Sequence, residues 1–259
     1  TQSIRALVFD EQGNEVAKSK VDLEAYFSNN PGWAEQDADY YWESLGQACH
    51  KLWGQGLVKP EQIKGVSLTT QRYTMINLDA DKKPLRPAIV WMDQRRAEVK
   101  KPLRGVWGFL IKALGLTNVI AELRAKARDN WIKQEQPEIW QKTRHYISLS
   151  TYLTFKLTGQ MKDSTGSTMG YLPYDYRQQQ WAKKSDLKWK LLAATRDMMP
   201  ELVKPGELLG KITSQASAFT ALPEGLKMIA AASDKACEVL GSGGVEPHVG
   251  CLSYGTTAT

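Results

Sequence analysis

The sequence is short of cysteine and histidine. Its 259 residues hold three of each: Cys49, Cys237 and Cys251, and His50, His145 and His248. An odd, widely separated set of cysteines without C-x-x-C spacing excludes a disulfide framework and fits reduced thiols. Neither residue type shows the spacing of a zinc site, so no metal centre made of these side chains is expected. Long hydrophobic runs are also missing. Stretches such as Ala88 to Met92 fall far below the roughly 18 residues that a membrane-spanning helix needs. The N-terminal residues carry no apolar leader of the secretory kind, so a cytoplasmic protein with no membrane partner is expected.

The excess of basic residues is modest, 34 Lys+Arg against 28 Asp+Glu for a net charge of +6. The densest basic pairs, Lys82-Lys83, Arg95-Arg96 and Lys100-Lys101, are separated by apolar or acidic residues. They form no clustered footprint of the kind that binds nucleic acid, and a small anionic ligand accounts for the local arginines equally well. A hydrophobic content of 42% supports a sizeable core and excludes disorder as the main state.

Alternation and turn signals predict adjacent strands over Ser3 to Asp10 and Glu15 to Leu23. Tyr41, Leu45, Ala48, Cys49 and Leu52 recur at helical spacing after Asp37, a candidate N-cap, and predict an amphipathic helix ending near Gly54. Ile63 to Thr70, Thr74 to Leu78 and Ala88 to Met92 read as strands. Residues from about 94 to 160 read as a helical insertion, and a further helix is expected from Asp186 toward Met199. Strand Lys227 to Ala232, helix Lys235 to Leu240 and a last strand from Cys251 to Tyr254 complete the pattern. The chain stops on a glycine-hydroxyl turn directly after that strand, which suggests a fragment of a longer protein.

The familiar nucleotide fingerprints are absent. Gly206 to Lys211 has three residues between its glycines where a P-loop needs four, and Gly241 to Glu246 lacks the last glycine of a dinucleotide loop. Two other segments have the composition of phosphate-cradling turns, Thr1 to Arg5 and Ser253 to Thr257, since glycine admits a close backbone approach while hydroxyls and N–H groups donate. Asp234 lies between an apolar strand and a helix. It is placed either to act as a general base toward a hydroxyl or simply to cap the helix, and Asp93 presents the same alternative. Thr69 to Tyr73 gathers amide, guanidinium and phenol groups suited to a polyol, or forms an ordinary polar loop. Trp33 reads as a packing anchor beside a helix start.

Taken in order, these motifs resemble the N-terminal domain of the FGGY family of carbohydrate kinases. Thr1 to Asp10 is similar to the end of D-x-G-T-x-x-x-R-A-x-x-x-D, and Pro31 to Asp37 to P-G-W-x-E-Q-D. Pro84 to Arg95 is similar to P-L-x-P-A-I-x-W-x-D-x-R, and Lys156 to Gly159 to K-L-T-G. Leu222 to Leu226, Ser233 to Ala236 and Gly255 to Thr257 resemble the family's L-P-x-G turn, catalytic G-D segment and second phosphate loop.

The resemblance spans residues 1–259 and implies an α/β, ribonuclease H-like (actin-like ATPase) domain with a mixed sheet, flanking helices and a helical insertion. A C-terminal nucleotide-binding domain, absent from this chain, would face it across a cleft holding ATP and Mg2+. Carried over by motif, Asp234 is the catalytic base, and Gln71, Arg72, Trp91, Asp93 and Arg95 lie on the sugar side. Thr1, Arg5, Gly255, Thr256 and Thr257 surround the phosphates. Tyr73 stands where the glycerol-kinase turn has Glu, which points to a ketose, polyol or sugar acid other than glycerol as substrate. The resemblance also leaves homodimerisation open, and the chain alone is expected to lack kinase activity. A non-catalytic sugar- or nucleotide-binding regulator on the same fold is the alternative.

Overall fold

The computed structural model describes residues 2–99, 103–168 and 172–252. The chain opens with an antiparallel hairpin of β1 (Ser3–Phe9) and β2 (Glu15–Asp22), in register from Ser3↔Asp22 to Val8↔Ala17 and shifting by one residue at Phe9↔Glu15. Asp10 ties the turn, its carboxylate accepting the main-chain N–H groups of Gln12 (2.9 Å) and Asn14 (2.8 Å), as aspartate does in such turns. There follow β3 (Glu35–Gln36), α1 (Ala38–Trp53), β4 (Val66–Leu68), β5 (Met75–Leu78) and β6 (Ala88–Ile89). Next come α2 (Gly105–Ala113), α3 (Thr117–Lys126), α4 (Arg128–Glu135), α5 (Pro137–Lys142), β7 (His145–Ser148), α6 (Leu149–Thr158) and β8 (Lys162–Ser164). The remainder comprises β9 (Tyr174–Asp175), β10 (Gln180–Trp181), α7 (Leu187–Lys190), β11 (Glu201–Val203), β12 (Leu208–Lys211), α8 (Ser214–Thr220), β13 (Lys227–Ala230) and α9 (Asp234–Gly241).

A four-stranded antiparallel sheet, ordered β3-β6-β5-β7, separates two apolar cores. Because successive strand side chains point to opposite faces, Ile76, Leu78, Ala88 and Ile147 join one core while Met75, Ile89 and Tyr146 join the other. The first core takes Tyr41, Leu45 and Cys49 from α1 and Leu153 and Leu157 from α6. The second takes Trp131 and Ile132 from α4, together with Trp181 and Trp189. The helical spacing read in α1 is therefore its buried face, although Asp37, at the N-cap position, makes no side-chain capping bond. At the Lys156 to Gly159 segment α6 ends, with Gly159 in the left-handed region (φ 71°), where glycine carries no Cβ penalty.

Several expectations change. The stretch 94–160 is helical from Gly105 to Lys142 but also contains β7, which pairs with β5 from Met75↔Ser148 to Leu78↔His145. A four-residue strand between helices is too short for periodicity to distinguish it. The helix expected from Asp186 to Met199 shortens to α7 and a single 3-10 turn at Arg196–Met198. The main-chain N–H of Ala194 bonds instead to the buried Asp129 carboxylate (2.7 Å). Cys251 and Leu252 form no strand, and Ser253 and Tyr254 lie outside the described residues. Among the described residues no helix is long and apolar enough to cross a membrane.

Candidate active site

A second sheet, β12-β13-β4, sets the geometry. β13 and β4 are parallel, paired from Met228↔Val66 to Ala230↔Leu68, so their C-terminal ends share one edge, the place where α/β sheets receive ligands. β4 runs on into Thr69 to Tyr73, and β13 into Ala231, Ala232, Ser233 and α9. The two exits are joined by a hydrogen bond from the Asp234 main-chain N–H to the Thr70 carbonyl (3.0 Å). The sequence reading left Asp234 as base or cap; here Ser233 holds the N-cap position and Asp234 is the first helical residue. The half-buried Asp234 carboxylate accepts the Lys235 N–H (2.8 Å). Beside it opens a cleft of about 430 Å³ lined by Arg72, Lys235, Ala236, Val239, Leu240 and Gly244.

The segment carrying Asp234 is supported from behind by the loop after β8. Gly166 bridges to Ala232 and its carbonyl accepts the Ser233 N–H (3.1 Å), while the Ser164 hydroxyl donates to the Ala231 carbonyl. Asp163 anchors this loop. Its buried carboxylate accepts the hydroxyls of Ser148 (2.7 Å), Ser150 (2.7 Å) and Thr151 (2.8 Å) and the Ser164 N–H (2.8 Å). Burial pushes the Asp163 carboxyl above the usual carboxylate range against the opposing pull of those donors. A Cβ at Gly166 would stand 2.8 Å from the Ala232 Cβ and 3.2 Å from the Ala231 carbonyl oxygen. Gly166→Ala is therefore expected to cost about 1–3 kcal/mol and lower Tm by roughly 2–4 °C per kcal/mol. A melting curve superimposable on wild type would refute that close approach.

The structure separates the sugar-side candidates into two groups. Arg72 is exposed at the cleft, and Trp91 is half-buried on the turn after β6. Gln71 is buried, with its amide donating to Thr74 Oγ1 (2.8 Å) and the Tyr41 hydroxyl (3.3 Å) and accepting from the Tyr26 hydroxyl (3.4 Å). Tyr26 also bonds Trp91, and burial raises its phenol pKa while these two partners pull it down.

Asp93 and Arg95, expected on the sugar side, are instead closed inside the protein, their side chains 0% and 1% exposed. Asp93 accepts Arg95 Nη2 (2.7 Å), Arg95 Nε (2.8 Å) and the main-chain N–H of Ala34 (2.7 Å). Arg95 Nη1 donates to Glu35 (2.8 Å), which also pairs with the buried Arg86. The Arg95 guanidinium lies 4.1 Å from the Trp33 ring and 4.6 Å from that of Trp131. Trp33 is thus the packing anchor its sequence context suggests, and the two motifs beginning at Pro31 and Pro84 meet in one buried ion network.

Of the phosphate candidates, Arg5 lies on β1 opposite Lys20. There Lys20, and to a lesser degree Arg5, holds the exposed Asp22 carboxyl below its usual range. Thr1, Gly255, Thr256 and Thr257 lie outside the described residues. Among the described residues no three His, Cys, Asp or Glu side chains converge as a metal-ligand set.

Parallel strands thus deliver an acidic helix start and a polar turn to one edge of a sheet in a mixed α/β domain. The FGGY family of carbohydrate kinases, N-terminal domain, matches residues 1–241, and the chain belongs to that family. It is 30% identical to the uncharacterized sugar kinase YgcE of Escherichia coli K12, over 99% of this chain and 44% of that protein. The xylulose kinase structure from Rhodospirillum rubrum superposes with a TM-score of 0.77 at 21% identity, covering 98% of this chain and 52% of that one. The glycerol kinase of Plasmodium falciparum with ADP gives 0.75 at 22%, covering 99% and 51%. These likenesses establish the mixed α/β fold of sugar kinases. The chain spans about half the length of the curated relatives it matches.

Proposed function

We propose that this chain is the sugar-binding and catalytic half of an ATP-dependent carbohydrate kinase. One observation carries the reading: in a member of this family, Asp234 is bonded through its backbone to the Thr70–Tyr73 turn, beside a cleft bearing Arg72 and Lys235. The Lys235 ammonium suits the phosphate oxygens of ATP. Mg2+ would be held by the phosphate oxygens and water, as it commonly is, and no carboxylate of this chain is assigned to it. Bound Mg-ATP supplies the phosphoryl group. Asp234 takes the proton from the attacking sugar hydroxyl as that oxygen bonds to phosphorus and the bond to the ADP oxygen breaks.

In this reading Arg72 and Trp91 contact the sugar, and Gln71, Asp93 and Arg95 hold the turns that present them. Thr1, Arg5, Gly255, Thr256 and Thr257 are proposed for the phosphates, and a second domain closes the cleft and excludes water. The substrate is a ketose, polyol or sugar acid, with Tyr73 in place of an acidic side chain disfavouring glycerol. The test is coupled ADP release by the whole kinase with Mg-ATP across a panel of these sugars. Release that depends on a ketose, polyol or sugar acid and is weak with glycerol is expected; release independent of every sugar would overturn the reading.

A further inference from the structure

Arg128, the first residue of α4, is 3% exposed and lies in the stretch whose sequence reads as a helical insertion. Its guanidinium is directed at main-chain carbonyls. Nη1 donates to the carbonyls of Tyr73 and Ile89 (3.2 Å to the latter), and Nη2 donates to that of Trp91 (2.8 Å). Its Cζ lies 4.0 Å from the centroid of the Tyr73 ring. One side chain thus grips both turns that carry the two accessible sugar-side candidates, exposed Arg72 before Tyr73 and half-buried Trp91 itself.

Tyr73 adds an independent observation. Its φ is 59°, in the left-handed region that a bulky side chain rarely adopts, and such strain persists only where the surroundings over-determine it. Here they do: Arg128 holds the Tyr73 carbonyl and covers its ring, and the Tyr73 hydroxyl donates to the Lys126 carbonyl (3.2 Å). Five N–H donors in a planar fork can bridge carbonyls on two segments while stacking on a ring, which a lysine ammonium cannot reproduce.

We infer that Arg128 is a positioning residue for the sugar end of the cleft, fixing the strained Tyr73 turn and the Trp91 turn relative to each other. The inference rests on the kinase reading for its consequence, but not for the clamp itself. In Arg128→Met, amide hydrogen exchange at Asp234, whose N–H bonds the Thr70 carbonyl, and at Asp93, whose N–H bonds the Val90 carbonyl, should speed up at least tenfold as the two turns loosen, with α1 and β13 unchanged. The KM for the sugar should rise about tenfold with the KM for ATP unaltered, and Arg128→Lys should recover part of both effects. Wild-type protection of these two amides in both variants would overturn the clamp. Equal rises in both KM values, or an unchanged sugar KM, would overturn its positioning role. A wild-type kinase showing no sugar-dependent turnover would count against the kinase reading alone, since the exchange readout needs no sugar.

Discussion

Asp234→Asn in the whole kinase is expected to lower sugar-dependent turnover by about 10²–10⁴-fold, the range that a positioned general base contributes. The amide keeps the shape of the carboxylate and can still accept the Lys235 N–H that Asp234 accepts at 2.8 Å, so the start of α9 should survive. Loss of a negative charge in the first helical turn costs only about 0.3–1 kcal/mol. Thermal unfolding should therefore stay within a few degrees of wild type while kcat collapses and binding of ATP persists. Turnover within a few-fold of wild type would remove Asp234 from the chemistry, even if the protein proved to be a kinase.

The second large effect is on stability. Asp93→Ala removes the carboxylate that receives two nitrogens of the Arg95 side chain and the Ala34 N–H. It leaves a guanidinium 1% exposed, with Glu35 still shared with Arg86. Breaking a buried pair from one side costs about 3–5 kcal/mol, because the remaining charge has lost its compensation. Chemical denaturation should show that loss, and Tm should fall by roughly 10 °C at about 2–4 °C per kcal/mol. A loss below about 1 kcal/mol would mean that the Trp33 and Trp131 rings and Glu35 suffice to hold Arg95. Asp93 would then be free for another role.

Much of the fold is legible because its elements carry local signals. The apolar stripe of α1 and the turn between β1 and β2 sit where spacing and turn chemistry put them. β7 and the broken helix after Asp186 are not legible, since pairing with β5 and a bond to Asp129 decide them. The site divides in the same way. Asp234 is visible as an acidic residue between strand and helix, but only three-dimensional pairing shows that Ser233 takes the N-cap position and that Thr70 lies against Asp234.

The P-G-W-A-E-Q-D and P-A-I-V-W-M-D-Q-R segments stand out in the sequence, yet residue type does not tell a ligand contact from a buried ion pair. Arg95 is closed in by Glu35, Trp33 and Trp131, and Asp93 by Arg95 and the Ala34 N–H. Arg128 gives no sequence signal at all, because its three carbonyl partners come from the Tyr73 turn, from β6 and from the turn after β6.

The most direct test is to identify the acceptor by ³¹P NMR of the whole kinase with Mg-ATP and the sugar that best stimulates ADP release. The account predicts a sugar phosphomonoester formed in equal amount with ADP. ADP accompanied only by inorganic phosphate, at the same rate with and without sugar, would contradict it.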